Sequence, residues 1–503
     1  MPTRVLVDLS HAADGFVGIA QDIRLVFEML AGLPGIDVSG LLMPQALHDL
    51  PPISTSASLQ TATAAGIVHW MSQAAQPANH TPRRSQVAGR LRSTLREVRR
   101  VLRTRHHVLQ LPPEMHDAVW RVLFAQTLPP TSRPLVLARP FLGTDLSVAR
   151  LLFRTGAFPR LSPMSLDLAP HAIDAVLFCN ARPIRLPQGV QTLIRYHDAI
   201  PLTDPDMVTH WQAAATHQRM VQACVPGALF ICDTPASVAD LTLADPSRAA
   251  HARVIPCALA PIDLTAPLIP PATIFAARRT FRALAHPIPP PPIDPAPRYV
   301  LSVSTFEPRK NFTGLVRAWE RVTARHDPAL RLVLVAGRGW LEEEGLRLIA
   351  PHVEAGRIVH LQGLPPDELQ SLLRQAACFA FPSFAEGFGL PPLEALQAGT
   401  PVIVSDLPVF RWTLGGAALY IDPYDTEALA EAIARLCTAD ARATTIAQLQ
   451  AAAPAVIDRF RPTTVARHWA ALLDELPSLT PSSSRAEGTA IQDNTHPAAP
   501  ARP

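Results

Sequence analysis

Cysteine is sparse and unclustered in this 503-residue chain, where the six at positions 179, 224, 232, 257, 378 and 437 show neither CxxC spacing nor tight pairing with histidines. That pattern argues against a zinc site and a disulfide framework, and leaves buried free thiols as the plain reading. An excess of charge of one sign is missing too. A formal +3 from 45 basic and 42 acidic residues is too small to make nucleic acid the partner. No charge-free apolar stretch reaches spanning length, and the apolar run from Arg4 to Leu9 is broken by Asp8 before it could serve as a signal segment. These absences predict a cytoplasmic protein, at most peripheral at the inner face of a membrane.

What the chain does have is apolar content, 48% against 17% charged, enough for a large core divided into more than one domain. The 53 prolines concentrate in places. The run from His286 to Pro297, HPIPPPPIDPAP, cannot hold a helix and reads as a stiff extended linker. After it, short apolar runs alternate with amphipathic ones: strands at 299–304, 331–336, 357–361, 378–382 and 401–404, and helices near 311–325, 341–350, 366–376 and 391–398. That rhythm predicts a parallel sheet with crossover helices. The first half repeats it less cleanly, with apolar runs at 5–9, 135–138, 175–179, 192–196, 228–232 and 253–256. The expected class is α/β, with two doubly wound, Rossmann-like domains facing each other across a cleft. Residues 1–285 form the first, with an Arg-rich insertion at about 75–130. The linker spans 286–297, the second domain 298–477, and a tail poor in large apolar residues, expected to be disordered, runs from 478 to 503.

Within the insertion, residues 83–105 hold nine arginines and one acid, Glu97, while Val87, Leu91, Leu95, Val98 and Leu102 share one helical face. Such a helix suits an anionic membrane surface, and equally suits packing on its own domain.

The strongest chemical signal lies between Glu386 and Glu394, in PSFAEGFGLPPLEALQAGTPVIVSD. Two carboxylates flank a Gly-rich turn that opens a helix, where free backbone N–H groups and the helix start favour an anion. Arg309 and Lys310, in STFEPRKN, follow the strand 299–304. A planar fork beside a compact charge suits a diphosphate, whereas bases idling at a helix start would oppose its dipole. Glu394 is placed to accept two hydroxyl hydrogen bonds, and Glu386 to meet a sugar beyond the phosphates. Gly15 and Gly18 lie in HAADGFVGIAQDIR after the first strand, a loop open to close approach by a ligand. His197, in IRYHDAIPLTDPD, ends another apolar run. The Asp204-Pro205-Asp206 triplet spells DxD, but in a Pro-rich loop it carries little weight.

EPRKN, VAGRGW (Val335 to Trp340), EGFGLPPLEA and GTPVIVSD together resemble the donor-binding domain of the retaining glycosyltransferases of family 4, over about residues 298–476. The resemblance implies the two-domain GT-B fold and transfer of a hexose from a nucleotide diphosphate sugar to a saccharide or lipid-linked acceptor in polysaccharide biosynthesis, with a lean toward GDP-mannose. It implies that Arg309 and Lys310 hold the diphosphate, Glu394 the ribose, and Glu386 the transferred sugar. Backbone amides of Gly387, Phe388, Gly389 and Leu390 would meet the donor, Gly18 would lie in the loop touching its phosphate, and His197 would sit near the reacting carbons. Neither a metal nor a cofactor is implied, the nucleotide sugar being the substrate. Two departures stand out: Arg411-Trp412-Thr413 and Gly415-Gly416 replace the acid and Gly-Asp pair expected there. The alternative is a GT-B scaffold that has lost turnover and only binds nucleotide or glycan. The full set of Arg309, Lys310, Glu386 and Glu394 favours the enzyme, since a degraded site would tend to lose charges that are costly to bury together.

Overall fold

The computed structural model describes residues 2–14, 18–44, 64, 66–67, 104–157, 163–208, 213–278, 296–337, 342–437 and 439–479. All but the last two residues of the Pro-rich linker, Gly15, the tail beyond Leu479 and nearly all of the Arg-rich segment lie outside them. Arg105, which the sequence reading put in that helix, is the first residue of a strand.

The first sheet is built from β1 (Thr3–Asp8), β2 (Ile36–Leu42), β3 (Arg105–Gln110), β4 (Phe141–Thr144), β5 (Met164–Asp167), β6 (Ala175–Phe178), β7 (Ile184–Arg185), β8 (Gln191–Tyr196), β9 (Leu229–Cys232) and β10 (Ala252–Val254). Their order is β10-β9-β8-β6-β1-β2-β4-β3-β5-β7, and among the described residues only β3 against β4 is antiparallel. The central strands β6 and β9 are apolar at every position and fully buried, as a sheet covered on both faces requires. The apolar run 135–138 is no strand: Arg133–Leu137 is a short helix, because a brief apolar run suits either state until tertiary packing decides.

The second sheet holds β11 (Tyr299–Thr305), β12 (Arg331–Gly337), β13 (Ile358–Leu361), β14 (Cys378–Phe381), β15 (Val402–Ser405) and β16 (Ala418–Ile421), all parallel, in the order β13-β12-β11-β14-β15-β16. Register pairs Leu301 with Phe379 and Phe379 with Val402, so β11, β14 and β15 end side by side. Strand order reverses between β11 and β14, which opens a crevice off their carboxyl ends. In the first sheet, β1 sits at the equivalent reversal between β6 and β2.

The chain passes between lobes twice. Cys257, Leu259, Ile274 and Phe275 already pack in the second lobe's core, and the Leu259 N–H donates to the Phe460 carbonyl at 2.8 Å. The chain therefore begins to serve the second core near Cys257, ahead of the Pro-rich run, while Ala258 still packs in the first. At the other end, the helix Pro462–Leu479 returns, and Val465, Trp469, Leu472, Leu473 and Leu476 join the first lobe's core. Sequence pattern could not show this, since an apolar helix face looks the same whichever core it enters.

Candidate active site

The carboxyl end of β11 runs into a 3-10 turn, Pro308–Lys310, followed by Asn311 with φ 53°. Left-handed backbone is tolerated by asparagine, and here the Asn311 side chain also caps the helix α1 (Phe312–Arg325), its Oδ1 accepting from Gly314 N–H at 3.1 Å. Arg309 and Lys310 are thus held in a tight turn before the helix and are largely buried, which removes the reading of two solvated bases.

Both face the loop after β14. Lys310 Nζ lies 2.5 Å from Glu386 Oε1 and Arg309 Nη1 3.0 Å from Glu386 Oε2, with the side chains of Lys310 and Glu386 only 8% and 7% exposed. Glu307 takes Arg309 Nε at 2.7 Å and is oriented by the Thr305 hydroxyl, which donates to it. Lys310 also sits 4.8 Å from the Phe381 ring centroid. Burial pushes the Glu386 carboxyl up, and the charges of Lys310 and Arg309 overcome it, so the group stays below the ordinary glutamate range. For Lys310, burial dominates and depresses the ammonium below its usual value despite Glu386. Arg309, desolvated but flanked by Glu386 and Glu307, is held above its own. Two cations and two carboxylates therefore balance within one buried cluster.

The loop then turns into the helix α2 (Leu390–Gln397), whose first turn carries Pro391 and Pro392, which have no N–H, so the free donors are the amides of Leu390 and of the loop before it. Gly389, at φ 82°, caps it, and a Cβ there would stand 2.4 Å from Phe410. The Phe388 side chain is a packing group, edge-on to Trp412 and Phe460 at 6.5 and 5.5 Å. Trp412, one of the departures noted in the sequence, thus packs against this loop, while Arg411 pairs with Asp406 at 2.6 Å. Glu394 stands apart from the cation cluster. Its buried carboxyl is raised by desolvation and accepts from Gln21 Nε2, at 2.8 Å, across the lobes.

The first lobe closes on this loop. Gly18 begins the helix Gly18–Gly32, and a Cβ on it would lie 3.5 Å from Leu390. At Gly387 a Cβ would come within 2.8 Å of Asp198 Oδ2 and 3.0 Å of the His197 carbonyl oxygen, so only glycine permits this approach. His197 follows β8. Its Nδ1 donates to Asp233 at 2.6 Å, its carbonyl accepts from the Ser237 hydroxyl at 2.8 Å, and Nε2 is buried with no partner among the described residues. Burial alone would lower the imidazole; Asp233 reverses that and raises it above the ordinary value.

Asp22, His197, Asp233 and Cys257 bring potential ligand atoms together, but a guanidinium already supplies the cation. Arg195 bonds Asp22 at 2.8 and 3.0 Å and Cys257 at 3.4 Å, and lies 2.9 Å from Asp233, close enough for an ion pair though not aligned for a hydrogen bond. Asp206 of the DxD triplet is exposed in a 3-10 turn. Sequence reasoning missed Gln21, Glu307, Asp198 and Asp233. Only Glu307 and Asp198 carried a signal, as neighbours of residues already singled out.

Residues 288–449 match the family described as Glycosyl transferases group 1. The chain is 37% identical over 131 residues to O-antigen chain mannosyltransferase B of Escherichia coli, covering 26% of this chain and 34% of that one. It is 32% identical over 138 residues to O-antigen chain mannosyltransferase RfbU of Salmonella typhimurium, covering 27% and 37%. The chain thus spans about a third of the length of the curated relatives it matches. Among solved structures, sucrose-phosphate synthase from Thermosynechococcus elongatus superposes with a TM-score of 0.55 at 17% identity, covering 95% of this chain and 99% of that one. Anabaena Alr3699/HepE, in complex with UDP and glucose, superposes at 0.52 with 14% identity, covering 94% and 100%. Two Rossmann-like lobes meeting at a glycine loop give the chain the GT-B fold, and residues 288–449, within the second lobe and the segment leading into it, carry the match to the Glycosyl transferases group 1 family.

Proposed function

We propose that the protein transfers a hexose from a nucleotide diphosphate sugar, with mannose from GDP-mannose preferred, to a saccharide or lipid-linked saccharide acceptor in polysaccharide biosynthesis. One observation carries this reading: Arg309, Lys310 and Glu386 converge at the strand reversal of the second sheet, opposite His197. The names of the mannosyltransferase relatives support the preferred sugar.

In this reading, the bond between the anomeric carbon and the β-phosphate oxygen breaks, and negative charge grows on the departing diphosphate. Arg309, Lys310 and the backbone amides of Gly387 to Leu390 stabilise it as it develops. This reading calls on no bound ion: Arg309 and Lys310 supply the countercharge once Glu386 turns from them to the sugar. Glu386 keeps the two cations charged and in place before the donor arrives, then meets the hydroxyls of the transferred sugar. Glu394 receives the ribose, and Gln21 yields to it. The acceptor attacks on the face the leaving group vacates, giving retention, and a phosphate oxygen takes its proton.

Incubating the purified chain with GDP- and UDP-sugars and following donor consumption by chromatography tests the proposal. Consumption of one sugar, with a product of retained anomeric configuration, supports it. Tight nucleotide binding with no consumption of any donor, with and without saccharide acceptors, would establish the binding scaffold instead.

A further inference from the structure

We propose that Asp233 is a positioning residue for transfer: it holds the proton on His197 Nδ1 and fixes the ring so that Nε2 is the edge left to hydrogen-bond a hydroxyl of the bound nucleotide sugar. The inference rests on the transferase reading above and adds a residue, and a proton position, to it.

The geometry leaves the ring little choice. An ionised carboxylate only accepts, so the 2.6 Å contact puts the proton of the pair on His197 Nδ1. Burial raises the Asp233 carboxyl, yet Arg195 and His197 draw it below the ordinary aspartate range, so it is the acceptor. Nε2 is then the edge left for a ligand, and a buried polar atom without a partner costs free energy unless something arrives to satisfy it. The His197 carbonyl lies against Gly387, which sets residue 197 beside the loop that carries Glu386.

Asp233 is itself held. Arg195 reaches Asp233 on one side and Asp22 on the other, and Asp22 rides on the helix that brings Gly18 and Gln21 to the second lobe. Arg195 also donates to the Ile255 carbonyl and lies 5.8 Å from the ring centroid of Trp469, on the helix that returns from the second lobe. The charged groups facing the imidazole are Asp233, Asp22 and Arg195. A relay from the inter-lobe helix to His197 therefore runs through Asp22, Arg195 and Asp233, all within the core.

The test uses the full chain labelled with 15N-histidine, the His197 signal being identified by its loss in His197→Gln. In the unsubstituted protein, Nδ1 stays protonated and the titration lies above the ordinary histidine range. Asp233→Asn brings the titration to or below that range. It lowers kcat roughly tenfold to a hundredfold, part of what a positioned proton-bearing group contributes, and changes the KM for nucleotide sugar by less than about twofold. Asp22→Asn serves as the control for network damage: it unpairs Arg195 as well, lowers Tm comparably, and moves the His197 titration far less. Equal titration shifts in the two variants, an unchanged titration in Asp233→Asn, or a loss carried by KM overturns the positioning role. If the unsubstituted chain consumes no donor, the transferase reading fails and takes the catalytic half of this proposal with it. Normal turnover with an unmoved His197 signal refutes the positioning alone.

Discussion

Replacing Glu386 by alanine separates what that carboxylate does for stability from what it does for transfer. Lys310 and Glu386 are 8% and 7% exposed and in direct contact, so removing the acid strands a buried ammonium. Breaking such a pair costs about 3–5 kcal/mol. Two features favour the low end: Arg309 keeps Glu307 at 2.7 Å, and Lys310, already depressed by burial, can shed its proton. A loss of about 3 kcal/mol in a domain of this size lowers Tm by about 6–12 °C. A diphosphate would restore the missing negative charge, so GDP or UDP at saturating concentration should raise Tm more in Glu386→Ala than in the unsubstituted protein. Donor transfer should be abolished, while the nucleotide itself binds at least as tightly as to the unsubstituted protein, as the larger shift requires. Scanning fluorimetry with and without each nucleotide, alongside donor consumption, reads all three quantities. Full turnover by the variant, or an unchanged Tm with equal nucleotide shifts, would refute the assignment.

The double variant Arg309→Ala, Lys310→Ala removes both diphosphate donors, and at about 1.5–3 kcal/mol per charge-assisted hydrogen bond the nucleotide Kd should rise at least a hundredfold by calorimetry. Unaltered affinity would show that the anion binds elsewhere. Gly387→Ala pushes a methyl against the His197 carbonyl and Asp198, so kcat should fall at least tenfold as the lobes lose their approach, with Tm changed by no more than a few degrees. Wild-type kcat would mean that this contact does not belong to the working state. Glu394 has a folded pKa raised by burial, so its charge opposes folding at neutral pH and the penalty fades as pH falls through that raised value. Glu394→Gln should therefore stabilise the protein at pH 7, lose that gain toward pH 4, and weaken nucleotide binding; a destabilised variant at pH 7 contradicts the electrostatic argument.

Much of the second lobe was legible before any coordinates. Five of its six strands begin and end within two residues of the expected apolar runs, because a parallel sheet covered on both faces tends to be written in apolar segments, while β16 was not among the expected strands. The expected helix 391–398 is Leu390–Gln397. The first lobe was less readable. β3, β5 and β7 are short or mixed in character, and the run 135–138 took the helical state. The crossing between cores near Cys257 and Leu259 leaves no mark in the sequence, because apolar side chains give no sign of which core they serve.

The sequence alone determined the local chemistry: a cation pair in the turn after β11, and two acids around a glycine loop that opens a helix. Each depends only on neighbouring residues and turn geometry. Only the tertiary structure decided who meets whom. Lys310 finds Glu386 seventy-six residues away because sheet order sets β11 beside β14, and Gln21 reaches Glu394 because two lobes close. The buried chain of Asp22, Arg195, Asp233 and His197 gathers one helix and the ends of two strands. Contacts of that kind follow from how sheets and helices stack in space, and separation along the chain holds no record of them.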